Sequence, residues 1–135
     1  MPETITFQHV FQYSLQTPGI VLPVRLEFAG KSIEFKANVD CGASYCIFSR
    51  NWGEDLGLNI EQGIPDRVST AMGSFPVYGH PLTLTIPGIS IETTVYFAAH
   101  PQFNRNVLGR QGWIDRFKLG MIDYEGKLLL SHYNE

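Results

Sequence analysis

Residues Lys36–Ser49 read KANVDCGASYCIFS. Just upstream and into this stretch, Ile33, Phe35, Ala37 and Val39 alternate with Glu34, Lys36 and Asn38. That period of two marks a half-buried strand, because successive side chains point to opposite faces. The strand ends on an acid, Asp40, followed by Cys41 and Gly42, and a second apolar run starts almost at once. A carboxylate at the end of such a strand loses hydration unless nearby donors replace it. Gly42 lets the backbone bend and lets another chain come close. An Asp-x-Gly also suits a turn in which the carboxylate accepts backbone N–H groups. Two readings follow: a structural turn between strands, or an acid deliberately presented. Asp55-Leu56-Gly57 repeats the spacing at a predicted helix end, with no apolar strand before it, and is assigned no chemistry.

Outward from Asp40, the pattern predicts further short elements. Leu22, Val24, Leu26 and Phe28 alternate with Pro23, Arg25 and Glu27, giving a partner strand joined through a tight turn at Gly30. Ser49 is placed to cap a short helix through RNWGEDL, with Gly57 as its stop. DRVSTAMGSFPVYG reads as a hairpin with Gly73 near its tip, and HPLTLTIPGISIETTVYFA as two strands around Pro87-Gly88. VLGRQGWIDRF reads as a buried strand end entering a short helix. KLGMIDYEGKLLLSH closes the chain as a hairpin around Glu125-Gly126. Many short strands and one or two short helices predict a mostly β fold, a closed or sandwich-like sheet. The 135 residues hold no repeat and no low-complexity linker, which suits one domain over residues 1–135.

Composition narrows the function. The chain is 44% hydrophobic and 13% aromatic, which fits a folded core. A net charge of −3 with scattered Lys and Arg offers no basic field for nucleic acid or a membrane surface. Two cysteines, Cys41 and Cys46, make no disulfide framework, and no Cys/His cluster has metal-ligand spacing. No metal and no cofactor is expected. His9, His80, His100 and His132 lie far apart and none has the context of a cysteine protease. Cys46 is expected to be a core thiol. The start MPETITFQHV carries an acid rather than a basic region before an apolar one, and no long apolar run follows. The expected location is cytoplasmic, with reduced thiols.

Three motifs in order then carry a family resemblance: Val39-Asp40-Cys41-Gly42-Ala43, the hairpin near Gly73, and Val107-Leu108-Gly109-Arg110. Over about residues 20–131 the chain resembles the retropepsin-like aspartic proteases, single-domain relatives of pepsin. The resemblance implies an acid-protease barrel with Asp40 catalytic. It implies an active-site and substrate-binding loop of Cys41, Gly42, Ala43 and Ser44, and a flap tip of Ala71, Met72, Gly73 and Ser74. Leu108, Gly109 and Arg110 would be structural support. Retroviral members carry an Asp four positions past the catalytic one, which receives the arginine; Ser44 stands there in this chain, so Arg110 is expected to bond backbone carbonyls instead.

One motif in a chain too short for two lobes implies a homodimer, with an Asp40 from each subunit activating one water on a peptide or protein substrate. The terminal stretches TITFQHVF and KLLLSHY would interleave at the interface; otherwise they are ordinary edge or core strands. The family has Thr or Ser where this chain has Cys41. Three outcomes stay open: an active dimer that tolerates the sulfur, a reversible disulfide between two Cys41 thiols, or a weak or inactive homologue. The last would be a retropepsin-fold homodimer that binds extended peptides without cutting them. A structural β-barrel with no cleft role is the third class of function.

Overall fold

The alternation around Asp40 forms the hairpin it predicts. In the computed structural model, which describes residues 1–135, β2 (Val21–Phe28) pairs antiparallel with β3 (Lys31–Val39). Ala29 and Gly30 join them with φ of 50° and 82°, the two positive angles a tight hairpin turn needs to match strand twist. Leu22, Val24 and Leu26 are buried, and Pro23 and Arg25 between them are exposed.

The other elements follow in chain order. The chain opens with β1 (His9–Gln12). After Asp40 come β4 (Ile47–Phe48) and the helix α1 (Arg50–Asp55). A second hairpin pairs β5 (Ile64–Thr70) with the start of β6 (Gly73–Ile86), leaving Ala71-Met72 at its tip. Pro87-Gly88 turns β6 into β7 (Ile89–Ala98). β8 (Val107–Leu108), β9 (Lys118–Ile122) and β10 (Lys127–Ser131) complete the strands.

Hydrogen bonding runs β2-β3-β8-β4-β7-β6, and β6 pairs again with β2 through Arg25↔Thr85 and Leu26↔Leu84. The ladder thus returns to its start, which removes the free edges of these strands. A smaller sheet of order β1-β10-β9 holds both chain ends. The two terminal stretches therefore pair with each other inside one chain, His9↔Leu130 through Gln12↔Lys127. No helix is long and apolar enough to cross a membrane.

Two local expectations need correction. Ser49 occupies the cap position of α1 but makes no side-chain cap bond; its N–H instead donates to Asn106 Oδ1 at 3.0 Å. The segment after Val107-Leu108 forms only a 3₁₀ turn, Ile114–Arg116. Gly112 at φ 95° and a return to extended backbone at Phe117 bound it too closely for a full helix. Gly53, an unfavourable residue inside a helix, is there because a Cβ would lie 2.5 Å from Ile60 Cδ1 and 3.0 Å from Phe97.

Two contacts hold the core around the site. Phe48 is fully buried, edge-on to Phe35 at 5.0 Å and tilted on Phe97 at 6.2 Å. Gly109 passes so close to the Tyr45 carbonyl that a Cβ would collide with backbone, and would meet the Ala43 carbonyl at 2.8 Å. On the outside, Arg50 clasps Glu61 through two bonds of 2.5 and 2.7 Å and reaches the Ala99 carbonyl at 3.1 Å. Hydrogen bonding to Arg50 lowers the Glu61 pKa below its ordinary 4.5.

These contacts set three expected outcomes. Phe48→Ala should cost about 3–5 kcal/mol in urea denaturation, since a buried aromatic leaves a cavity. Gly109→Ala should cost clearly more than Gly30→Ala. At Gly30 the site is open and only the positive φ is strained, worth about 1–2 kcal/mol; equal losses at the two positions would contradict the crossing described for Gly109. A depressed carboxyl pKa stabilises the fold above the unfolded value and loses that effect as pH falls through the folded one. Glu61→Gln should therefore shallow the decline in stability below pH 4.5, as followed by melting temperature.

Candidate active site

Asp40 is positioned by main-chain bonds on both sides of the loop it begins. β3 and β8 run parallel in the register Asn38↔Val107 and Val39↔Leu108. The Asp40 N–H then donates to the Leu108 carbonyl at 2.9 Å. Past the turn, the N–H groups of Arg110 and Gln111 donate to the carbonyls of Ala43 and Ser44 at 2.9 and 2.8 Å. Within the loop, Asp40 Oδ1 accepts the Gly42 N–H at 2.9 Å, and its carbonyl accepts the Ala43 N–H at 3.1 Å. The Asp-x-Gly stretch thus forms the turn its spacing suits. One oxygen closes a turn, and the side chain remains 38% exposed.

The carboxylate opens into a cleft of about 500 Å³. Asp40, Gly42, Ala43 and Ser44 line one part of it, Arg67–Thr70 of β5 another, and Phe103, Arg105 and Val107 a third. A second cavity of about 490 Å³ continues it, sharing Thr70, Phe103 and Arg105. Ala71 and Met72 at the hairpin tip line this second space, opposite the segment His100–Arg105. Met72 is 88% exposed. Gly73, at φ 125°, pairs with Thr70. Ser74 serves the hairpin itself: Arg67 donates from Nε to its Oγ at 2.9 Å and from a terminal nitrogen to its carbonyl at 3.2 Å.

The remaining predicted residues divide by role. Leu108 is fully buried and supplies the carbonyl that holds Asp40. Gly109 permits the close crossing, and Arg110 braces the loop through its backbone N–H, not through its side chain. The Arg110 guanidinium is exposed beside Ser44 and Asp115. Cys41 is exposed on the loop and is not among the cleft-lining residues. Cys46 is fully buried, and burial pushes its thiol up to about 12, so it is chemically quiet. No three His, Cys, Asp or Glu side chains gather at one point as metal ligands would.

Several cleft residues lay outside the sequence reading. Arg105 brings a terminal nitrogen 3.9 Å from Asp40 Oδ2 with its side chain 64% exposed. It stands two residues before β8, whose parallel partner β3 ends at Val39 beside Asp40. Tyr45 packs on Tyr96 with ring centroids 4.5 Å apart, and hydrogen bonding to Asp66, then burial, raises its phenol above the usual range. Phe103 packs on Phe75 at 6.1 Å and so links the hairpin to the opposite wall.

Comparison with known proteins places this geometry. The aspartyl protease family pattern matches residues 24–111, a span that contains the Asp40 loop, the hairpin tip and Val107-Leu108-Gly109-Arg110. Among solved structures, the fold is similar to EIAV protease complexed with an inhibitor. The TM-score is 0.55 at 18% identity, covering 74% of this chain and 88% of that one. No curated protein sequence matches. With the family pattern spanning most of the chain, this protein belongs to the aspartyl protease family, and its fold is retropepsin-like.

Proposed function

We propose that the chain is an aspartic endopeptidase that works as a homodimer, with Asp40 of each subunit forming the catalytic pair. The observation that carries this reading is the half-exposed Asp40 carboxylate, held by main-chain bonds at the mouth of an open cleft. Asp40 is the one carboxylate lining that cleft, and the chemistry needs two. Two carboxylates a few ångströms apart do not both ionise, so they share a proton. The ionised one takes a proton from water as the water oxygen bonds to the scissile carbonyl carbon. The protonated one gives its proton to the carbonyl oxygen. The tetrahedral diol then collapses: the amine nitrogen takes the proton held by one carboxyl, a diol hydroxyl gives its proton to the other carboxylate as the C–N bond breaks, and an acid and an amine leave with the shared proton restored.

The hairpin of β5 and β6 serves in this proposal as a flap. Its small tip residues, Ala71 and Gly73, let a peptide backbone pair alongside as an added strand, and Met72 gives a pliable apolar contact. The domain is taken as residues 1–135, with Leu108, Gly109 and the Arg110 backbone as support for the loop. Because β1 and β10 already pair within the chain, the terminal sheet would meet its symmetry mate through its outer edges or its exposed face, where Val10 is 60% exposed.

A second reading rests on one observation, the exposed Cys41 beside Asp40. A thiol is a weak hydrogen-bond donor and acceptor, and a pair of them at a subunit axis would hold the two acids less firmly than hydroxyls. The protein would then bind extended peptides with little or no cleavage.

Peptide cleavage and sedimentation separate the readings. The purified protein should sediment as a dimer and cut peptides, and Asp40→Asn should lower kcat by at least about a hundredfold without loss of the dimer. Full activity in Asp40→Asn would refute the mechanism. A parent without cleavage, together with a Cys41→Thr variant that gains it, would establish the binding reading instead.

A further inference from the structure

We propose that Arg105 reads an acidic side chain next to the scissile bond, so that the substrate class is peptides carrying Glu or Asp there. The inference rests on the peptidase reading of the Asp40 cleft and adds what the cleft selects. Ionisable groups in the two joined cavities are few: Asp40, Tyr45, Arg67, Arg105 and His100. Asp40 is the only carboxylate among them, so the walls around it carry cationic and neutral donors and no second acid. An acidic peptide side chain entering this space meets one like charge and two guanidinium groups.

The two arginines differ in what they have free. Arg67 is spent on the hairpin, through its bonds to the Ser74 hydroxyl and carbonyl. Arg105 makes no hydrogen bond of 3.5 Å or less to the protein, and its approach to Asp40 Oδ2 at 3.9 Å is longer than one. Its planar fork of donors therefore stands open in the cleft, suited to two parallel bonds with a carboxylate. Distance fixes which substrate residue it meets. A group that close to the Asp40 carboxylate lies within one side-chain length of the bond that Asp40 acts on. Phe103 and Val107 line the same cleft and would give the methylenes of a Glu an apolar wall while its carboxylate reaches the fork.

The test begins with the dimer digesting a mixed peptide library, with cut sites located by mass spectrometry. Glu and Asp should be enriched at one of the two residues flanking the cut. A peptide from the best site is then paired with its Glu→Gln counterpart. The parent should favour the Glu peptide in kcat/KM by about tenfold, the scale of one charge-assisted bond. Arg105→Gln should bring that ratio close to one, and Arg105→Glu should turn preference toward Lys at the same position. A parent that cuts both peptides equally, or an Arg105→Gln variant that keeps the ratio, overturns the proposal. Cleavage that Asp40→Asn removes, whatever the ratio, still supports the peptidase reading, so the two fail separately. If neither peptide is cut, fluorescence anisotropy of the same labelled pair decides: tighter binding of the Glu peptide, lost in Arg105→Gln, supports the role of Arg105, and equal binding refutes it.

Discussion

The structure depends on one crossing, where the end of β3 runs parallel to β8 and Gly109 passes against the Tyr45 carbonyl. Parallel strands cannot be joined by a tight turn, so this contact brings together segments far apart in the chain. Closing such a loop costs chain entropy before any contact is gained, and the buried cluster on either side of the crossing offsets it. What results is a loop with both ends clamped. Asp40 is tied to Leu108 on entry, and Ala43 and Ser44 are tied to Arg110 and Gln111 on exit. The direction of the Asp40 carboxylate follows from that clamp and from the turn bond to the Gly42 N–H, not from contacts of its own with side chains. A residue at 109 with any Cβ would open the clamp at its narrowest point.

Much of this was legible in the sequence where one face of an element is buried and the other is not. The alternation from Leu22 to Phe28 and from Ile33 to Val39 is the pleat itself written in residue types, and Gly30, Gly73 and Pro87-Gly88 mark where the chain turns. The site loop was legible for a different reason: acid, small residue and glycine in a row leave few backbone options. β4 was not legible as a strand. Ile47 and Phe48 lie between β7 and β8 with both residues buried, so there is no alternation to read. The return of β6 to β2, which closes the ladder, is a matter of register between distant strands and leaves no local mark. The bond from the Ser49 N–H to Asn106, on a remote loop, likewise leaves no local mark. Arg105 was missed because nothing beside it in sequence says that β8 will lie next to Asp40.

The Arg105–Asp40 contact has the character of a meeting rather than a lock. The guanidinium is mostly exposed, the separation is longer than a hydrogen bond, and water and salt screen such a pair to about 1 kcal/mol or less. The contrast within the same molecule is Arg50, which grips Glu61 with two short bonds and a backbone carbonyl with a third. A guanidinium fixed as Arg50 is fixed has little left to offer a ligand. One held as loosely as Arg105 exchanges its partner at small cost while keeping its charge in the cleft. The same looseness leaves Asp40 Oδ2 open, since the turn engages only Oδ1. The charge at the cleft mouth is therefore preset, but neither member of the pair is consumed by the fold.

Cys41 fits this division between what the fold uses and what it leaves open. Every bond that shapes the loop is made by the Asp40 carboxylate or by the main chain of Asp40, Gly42, Ala43 and Ser44; none needs the side chain at 41. A thiol there imposes no cavity and no buried unpaired group on the single chain, because the residue is exposed. The family habit of a hydroxyl at this position thus has no explanation inside one subunit. Its reason has to lie with whatever approaches the exposed side of the loop, and the sulfur changes that encounter alone. The buried thiol of Cys46 makes the converse case. It is pinned in the core, with burial opposing its ionisation, and any chemistry of cysteine in this protein falls to the one that the fold does not use.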